Sequence, residues 1–301
     1  SGQLGLGDVV TRSSPVQVGT DTNWASVSAS INSHTLAIKT TGSLWGWGNN
    51  SQSQLGLGDG TNRSSPVQVG TDTNWSSVSA GSGHGVAIKT TGSLWVWGSN
   101  NSGQLGLGDA VLYRYFPIQV GTDTNWASVS GSNLATIAIK TTGSLWAWGS
   151  NGSGQLGLGD VVTRSSPVQV GGDTNWSSVS HSAGGSHTLA IKSTGSLWAW
   201  GSNTSGQLGL GDGTNRSSPV QVGTDTNWSS VSAGGSHTLA RKTDGSLWSW
   251  GYRTLGRGGM PIIQSTSSPV QVQTATNWKR PSIGTLHSTG VKIFTTQNPT
   301  T

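Results

Sequence analysis

The chain has 301 residues with 47 Gly, 16 Trp, one Met (Met260), only 9% charged residues and neither Cys nor Glu. That excludes a disulfide framework and thiolate metal sites, and no apolar run reaches the length of a membrane-spanning helix. The +5 charge is local: eleven Asp balance eleven Lys plus Arg through residue 244, and the excess is Arg253, Arg257, Lys279, Arg280 and Lys292. Nucleic-acid binding shows as a basic stripe along a face, so a neutral body with a basic last repeat makes nucleic acid an unlikely partner. Glycine- and serine-rich chains are often disordered, but sixteen indoles offer the burial that disordered chains lack.

From the N-terminus the chain reads "QLGLGD" (Gln3–Asp8), a glycine-rich turn, and then "PVQV" (Pro15–Val18), a short strand. A Gly/Thr/Asp turn leads to "NWASVSA" (Asn23–Ala29), a second strand. In "HTLAIK", His34, Leu36 and Ile38 alternate with Thr35, Ala37 and Lys39, the period-two pattern of a strand. "TTG" supplies a turn at Gly42, and "SLWGWG" puts Trp45 and Trp47 on one face and Leu44 on the other. The unit then recurs. The Trp of "NW" falls at 24, 75, 126, 176, 228 and 278, in steps of 51, 51, 50, 52 and 50. Five "SLWxWG" pairs account for the remaining Trp, so every indole is a repeat position. Nothing sustains a 3.6-residue period. Four short strands per unit of about 50 residues predict an all-β fold, a β-propeller of six four-stranded blades. It spans 1–301 as a single domain, with repeats at approximately 1–52, 53–102, 103–153, 154–205, 206–251 and 252–301. A blade cannot bury both faces alone, so Trp24, Trp45, Trp47 and their copies are expected between blades. There each contributes on the order of 4–6 kcal/mol gross.

"GQLGLGD", "SHTLAIK" and "GSLWAWG" together make the chain resemble the regulator of chromosome condensation repeat family, over essentially its whole length. The resemblance implies a propeller, seven-bladed in the best-known members, whereas this sequence offers six copies. Ser1-Gly2-Gln3 is expected to follow an SLWxWG strand in the natural protein, and the sixth copy stops before one. A strand from upstream of Ser1 would close six blades. A seven-bladed ring with parts outside this sequence is the alternative.

The repeated His (34, 84, 187, 237 and 287, replaced by Ala135 in the third copy) invites a metal or catalytic reading. Positions spread around a ring cannot converge on one ion, so each His is expected to bond a neighbouring turn. His181 stands outside the pattern with no visible partner. Asp8 and its copies suit side-chain-to-backbone turn bonds. "DGTN" at Asp59 and Asp212 lacks the alternating ligands of a calcium loop. No catalytic set, metal site or cofactor is expected, and the protein is read as not an enzyme.

The departures from the repeat carry more information. "VLYRYFPIQV" (Val111–Val120) places Tyr113, Tyr115 and Phe116 where "VVTRSSPVQV" has Thr, Ser and Ser, with one extra residue after Asp109. Tyr113, Arg114, Tyr115 and Phe116 form a candidate contact loop, because aromatic and Arg side chains dominate binding hot spots. Alternatively they plug a gap in the third copy. Tyr252, Arg253, Arg257 and Met260 form a second, basic-aromatic cluster.

These features point to a non-enzymatic binding or structural module for a protein or surface-glycan partner. The composition suits an extracellular, cell-surface or virion setting. Oligomeric state is not read from the sequence. The resemblance also implies guanine-nucleotide exchange on a small GTPase, an activity tied in the family to a wedge-like insertion and acidic loops that this sequence lacks. Light sensing, performed by a plant ultraviolet-B photoreceptor of similar fold, goes with a "GWRHT" signature; here the equivalent text is "GGSHTLA".

Overall fold

The computed structural model describes residues 1–182, 184, 186–252, 265–274, 276, 278–283 and 288–292. The segments with period-two alternation all become strands. The first sheet is β1 (Trp24–Ala29), β2 (His34–Lys39), β3 (Leu44–Gly48) and β4 (Arg63–Gln68). The second is β5 (Trp75–Ala80), β6 (His84–Lys89), β7 (Leu94–Ser99) and β8 (Tyr113–Gln119). The third is β9 (Trp126–Gly131), β10 (Ala135–Lys140), β11 (Leu145–Gly149) and β12 (Arg164–Gln169). The fourth is β13 (Trp176–His181), β14 (His187–Lys192), β15 (Leu197–Gly201) and β16 (Arg216–Gln221). The fifth is β17 (Trp228–Ala233), β18 (His237–Lys242), β19 (Leu247–Gly251) and β20 (Thr266–Gln271). A sixth sheet contains, among the described residues, β21 (Trp278–Ile283) and β22 (Ser288–Lys292).

Each complete sheet is an antiparallel meander. Its boundaries straddle the sequence copies. The QLGLGD connection turns the chain back along the preceding LWxWG strand, so each PVQV strand pairs there: Trp45 opposite Gln68, Gly46 opposite Val67. "YRYFPIQ", in the third copy by sequence, is therefore the fourth strand of the second sheet. The homologous stretch Arg12–Val18 has no strand assignment.

The sheets stack in chain order, with the first strands β1, β5, β9, β13, β17 and β21 adjacent in succession. Between the first two, Leu36, Ile38, Leu44 and Val69 meet Trp75, Ala87 and Trp97. The same side chains recur at the later seams. Each QLGLGD connection also reaches the next sheet. Gln54 O accepts from Trp97 Nε1 (2.8 Å), and Gly58 N donates to Tyr115 O (2.9 Å). Gly56 adopts φ +71°, and a Cβ there would lie 2.9 Å from the Trp97 ring, so only glycine lets the loop lie against the indole. The inner strands are tied by serine. Ser28 Oγ accepts from Ala80 N–H (2.9 Å), Ser79 Oγ from Gly131 N–H (2.9 Å), Ser130 Oγ from His181 N–H (3.1 Å) and Ser180 Oγ from Ala233 N–H (3.1 Å).

Candidate functional site

The stretch read as a contact loop is an edge strand. Its bulge between Val96 and Gly98 aligns Arg114 with Gly98, as Arg63 aligns with Gly48 in the first sheet. Arg114 pairs with Asp109, as Arg12, Arg63, Arg164 and Arg216 pair with Asp8, Asp59, Asp160 and Asp212. Arg114 thus holds a recurring position. Tyr113 extends the strand by one residue, opposite Ser99, and is half-buried. Tyr115 and Phe116 stay 49% and 62% exposed where the other copies carry serine. Phe116 rests its ring tip on Gly58 of the preceding connection. Ile118, Val111 and Leu112 are also exposed and extend the apolar surface, although Val9, Val10, Val161 and Val162 are equally open.

Tyr252, at the end of β19, is also about half exposed. It belongs to the fifth sheet, with the third and fourth sheets between it and β8, so the two aromatic clusters are not brought together along the stack. Arg253, Arg257 and Met260 lie outside the described residues.

The histidines are built into the seams. Thr136 Oγ1 donates to Gln104 O (2.9 Å), so its lone pair accepts from His84 Nε2–H (3.1 Å). His187 Nε2 makes the same contact with Thr238 (3.4 Å), which donates to Gln207 O (2.8 Å). At the seam between the third and fourth sheets the expected His is Ala135. There His181 Nδ1 lies 2.6 Å from Thr188 Oγ1, which donates to Gln155 O (2.8 Å). His181, which has no visible partner in the sequence, finds this one in the structure. Its origin is geometric. At the position equivalent to 181 in the third sheet, a Cβ on Gly131 would lie 3.4 Å from His84 Nε2. Side chains at this position therefore adjoin the seam histidine of the preceding sheet, and His181 restores from β13 the imidazole that Ala135 removes from β10. The space left by Ala135 in the third copy is occupied by His181, while Phe116 sits on the outer edge of the second sheet.

His34 faces the opposite exception. The second sheet has Gly85 where the other complete sheets have Thr, and both His34 ring nitrogens are buried without a hydrogen bond. Burial, with a smaller contribution from the neighbouring His84, pushes His34 down to about 3. Burial likewise lowers His84 and His181 to about 4 and His187 to about 3. All four are neutral near pH 7, as structural imidazoles should be. No group of three metal-ligating side chains occurs among the described residues.

Asp8 makes the expected turn bond, accepting from Val10 N–H (3.0 Å), and this bond holds its carboxyl below the usual range. A second ion pair in each complete repeat joins Lys39 to Asp21 (2.9 Å) and its copies. Lys39 Nζ also lies over Trp45 and Trp24, 3.9 and 4.9 Å from their ring centroids. Trp24 meets Trp45 and Trp47 edge-on at 6.0 and 5.7 Å. The roles of these lysines, of the inner serines and of the Thr–Gln bonds emerge only in the structure, although each residue recurs at the repeat period.

An RCC1-like domain model matches residues 1–290. The Ultraviolet-B receptor UVR8 of Arabidopsis thaliana is 31% identical over 172 residues, covering 55% of this chain and 39% of that receptor's length. Human WBSCR16 superposes with a TM-score of 0.79 at 20% identity, covering 90% of this chain and 72% of that one. Yeast RCC1 (Prp20) does so with a TM-score of 0.76 at 21% identity, covering 89% and 68%. With four-stranded sheets stacked in succession and a family match across nearly the whole sequence, the chain belongs to the RCC1-like domain family of β-propellers.

Proposed function

We propose that this chain is a non-enzymatic, six-bladed recognition propeller that contacts a protein partner through the outer edge of its second sheet. The carrying observation is the exposure of Tyr115 and Phe116 at positions where the sister copies have serine. Recurring His, Trp, Arg, Lys and Asp side chains make seams, turns and ion pairs, which leaves the departures from the repeat free for recognition. Exposed aromatic side chains bury large areas on binding at small entropic cost. In the same family, yeast Prp20 is bound by Kap60 and has been studied for binding to Gsp1p and histones. Tyr252 and the cluster with Arg253, Arg257 and Met260 would form a separate contact.

The test is the double reversion Tyr115→Ser with Phe116→Ser, compared with the unaltered protein as bait. A partner captured by the unaltered protein should bind the reverted one at least tenfold more weakly in calorimetry. The unfolding midpoint should barely move, because both side chains are exposed. Equal affinity, or a large loss of stability, would refute the proposal. Accelerated release of labelled GDP from a small GTPase would replace it with nucleotide exchange.

A further inference from the structure

The seam between the fifth and sixth sheets differs in chemistry from the four before it. At each earlier seam an isoleucine of the second strand, Ile38, Ile88, Ile139 or Ile191, is 3% exposed and clusters with the first-strand Trp of the next sheet. The fifth sheet has Arg241 at that position. Its guanidinium spans the seam. Nε donates to Trp278 O (2.5 Å) on β21, and Nη1 donates to Ser229 Oγ (3.1 Å) on β17. Ser229 Oγ also donates to Arg241 O (3.0 Å), the bond that Ser76 and Ser177 make to Ile88 O (2.9 Å) and Ile191 O (2.8 Å). The serine of the repeat thus doubles as an acceptor for the substituted side chain.

The facing strand changes too. β21 reads Trp-Lys-Arg-Pro where β5 reads Trp-Ser-Ser-Val, so Pro281 stands in the column of Val78, a residue packed into the first seam. Lys279 and Arg280 join Arg241 to place three cationic residues on two adjacent strands. The backbone bond across the seam is longer: Trp75, Trp126, Trp176 and Trp228 N each donate to a turn glycine O at 3.0 Å, but Trp278 N lies 3.4 Å from Gly245 O. Trp278 is 9% exposed, against 3–4% for those four. Isoleucine holds a seam simply by leaving water. A guanidinium in the same place must shed water from a charge, and its two bonds here go to a neutral carbonyl and a neutral hydroxyl. Asp244, where the earlier turns have Thr, compensates from further away: Ser246 chiefly holds its carboxyl low, and Lys242 and Arg241 add to this.

We propose that Arg241 is a latch, and that the seam it bridges opens as a unit while the first five sheets stay folded together. On opening, β21 leaves Leu239, Leu247 and Val272, an apolar face buried in the closed state. The two sheets remain joined through residues 272–277. Val272 N is bonded to Leu247 O (2.8 Å), so the hinge lies beyond Val272. The inference is independent of the contact surface proposed for Tyr115 and Phe116.

Hydrogen–deuterium exchange of the full 301-residue protein, read by mass spectrometry, measures the opening strand by strand. Amides of β21 should exchange at least about tenfold faster than those of β17, which holds the same place at the fourth seam. Arg241→Ile restores the residue of the four sister sheets, so this variant folds; it should slow β21 at least about tenfold and leave β17 unchanged. Ser229→Ala gives the residue that Ala25 and Ala127 provide in the first and third sheets. It should speed β21 exchange in the Arg241 protein and much less in the Arg241→Ile protein. The Tyr115→Ser, Phe116→Ser protein should exchange like the unaltered one, which separates this test from the previous one. Simple fraying of a last sheet would leave β21 equally fast in Arg241→Ile, and that result would overturn the proposal. So would equal rates in β21 and β17, faster exchange in Arg241→Ile, or no response to Ser229→Ala.

Discussion

Exchanging residues between positions 135 and 181 tests whether one imidazole site is shared across a seam. His181→Ala removes a side chain that is 5% exposed and its 2.6 Å bond with Thr188. The lost hydrogen bond costs about 1 kcal/mol net, and the void left by the ring about 1–3 kcal/mol more. Ala135→His alone drives a second ring into space that His181 occupies, which costs about 1–3 kcal/mol by overpacking. In the His181→Ala background the same substitution refills the void and returns a donor to Thr188, recovering about 1–2 kcal/mol. The effect of Ala135→His therefore reverses sign, and the double-mutant cycle gives a coupling of about 2–5 kcal/mol. Urea unfolding of the four proteins, read by tryptophan fluorescence with a common m-value, measures it. If Ala135→His destabilises both backgrounds equally, the two positions do not share a site and the reasoning fails.

Two further outcomes follow from the same seams. Four buried histidines have folded-state values of about 3–4, below the ordinary 6.5. The unfolded chain binds their protons first, so their contribution is complete above about pH 6.5 and is lost as pH falls toward 3–4. The urea midpoint should be flat from pH 8 to 7 and drop steeply between 6 and 4, less so in His181→Ala; a flat profile would contradict the buried placement. Trp148→Ala, which removes a fully buried ring bonded to Gln104 O at 2.9 Å, should cost about 3–5 kcal/mol. Trp146→Ala, at a partly exposed ring, should cost clearly less. Equal losses in chemical denaturation would mean that the second indole of the pair is not the seam anchor.

Much of this architecture is local and therefore legible in the sequence. Period-two alternation in HTLAIK and SLWGWG marks strands because successive side chains point to opposite faces of a sheet. Indoles recurring about every 50 residues identify seams, because a two-faced sheet must be covered by its neighbour. Arg114 was legible as well. It shares a column with Arg12 and Arg164, a signal masked by the aromatic residues around it.

The tertiary structure alone decided how these parts combine. Which strands share a sheet depends on the path of the QLGLGD connection, and that path assigned YRYFPIQ to the second sheet. The partnership of Ala135 with His181 spans two repeats and two strands, and only the stacking of one sheet on the next brings their side chains to one place. Exposure is likewise a property of the assembled seams. Val27 and Val78 sit in matching repeat positions, yet one faces solvent and the other a neighbouring sheet. Local sequence fixes the direction a side chain points; what lies in that direction depends on residues far along the chain.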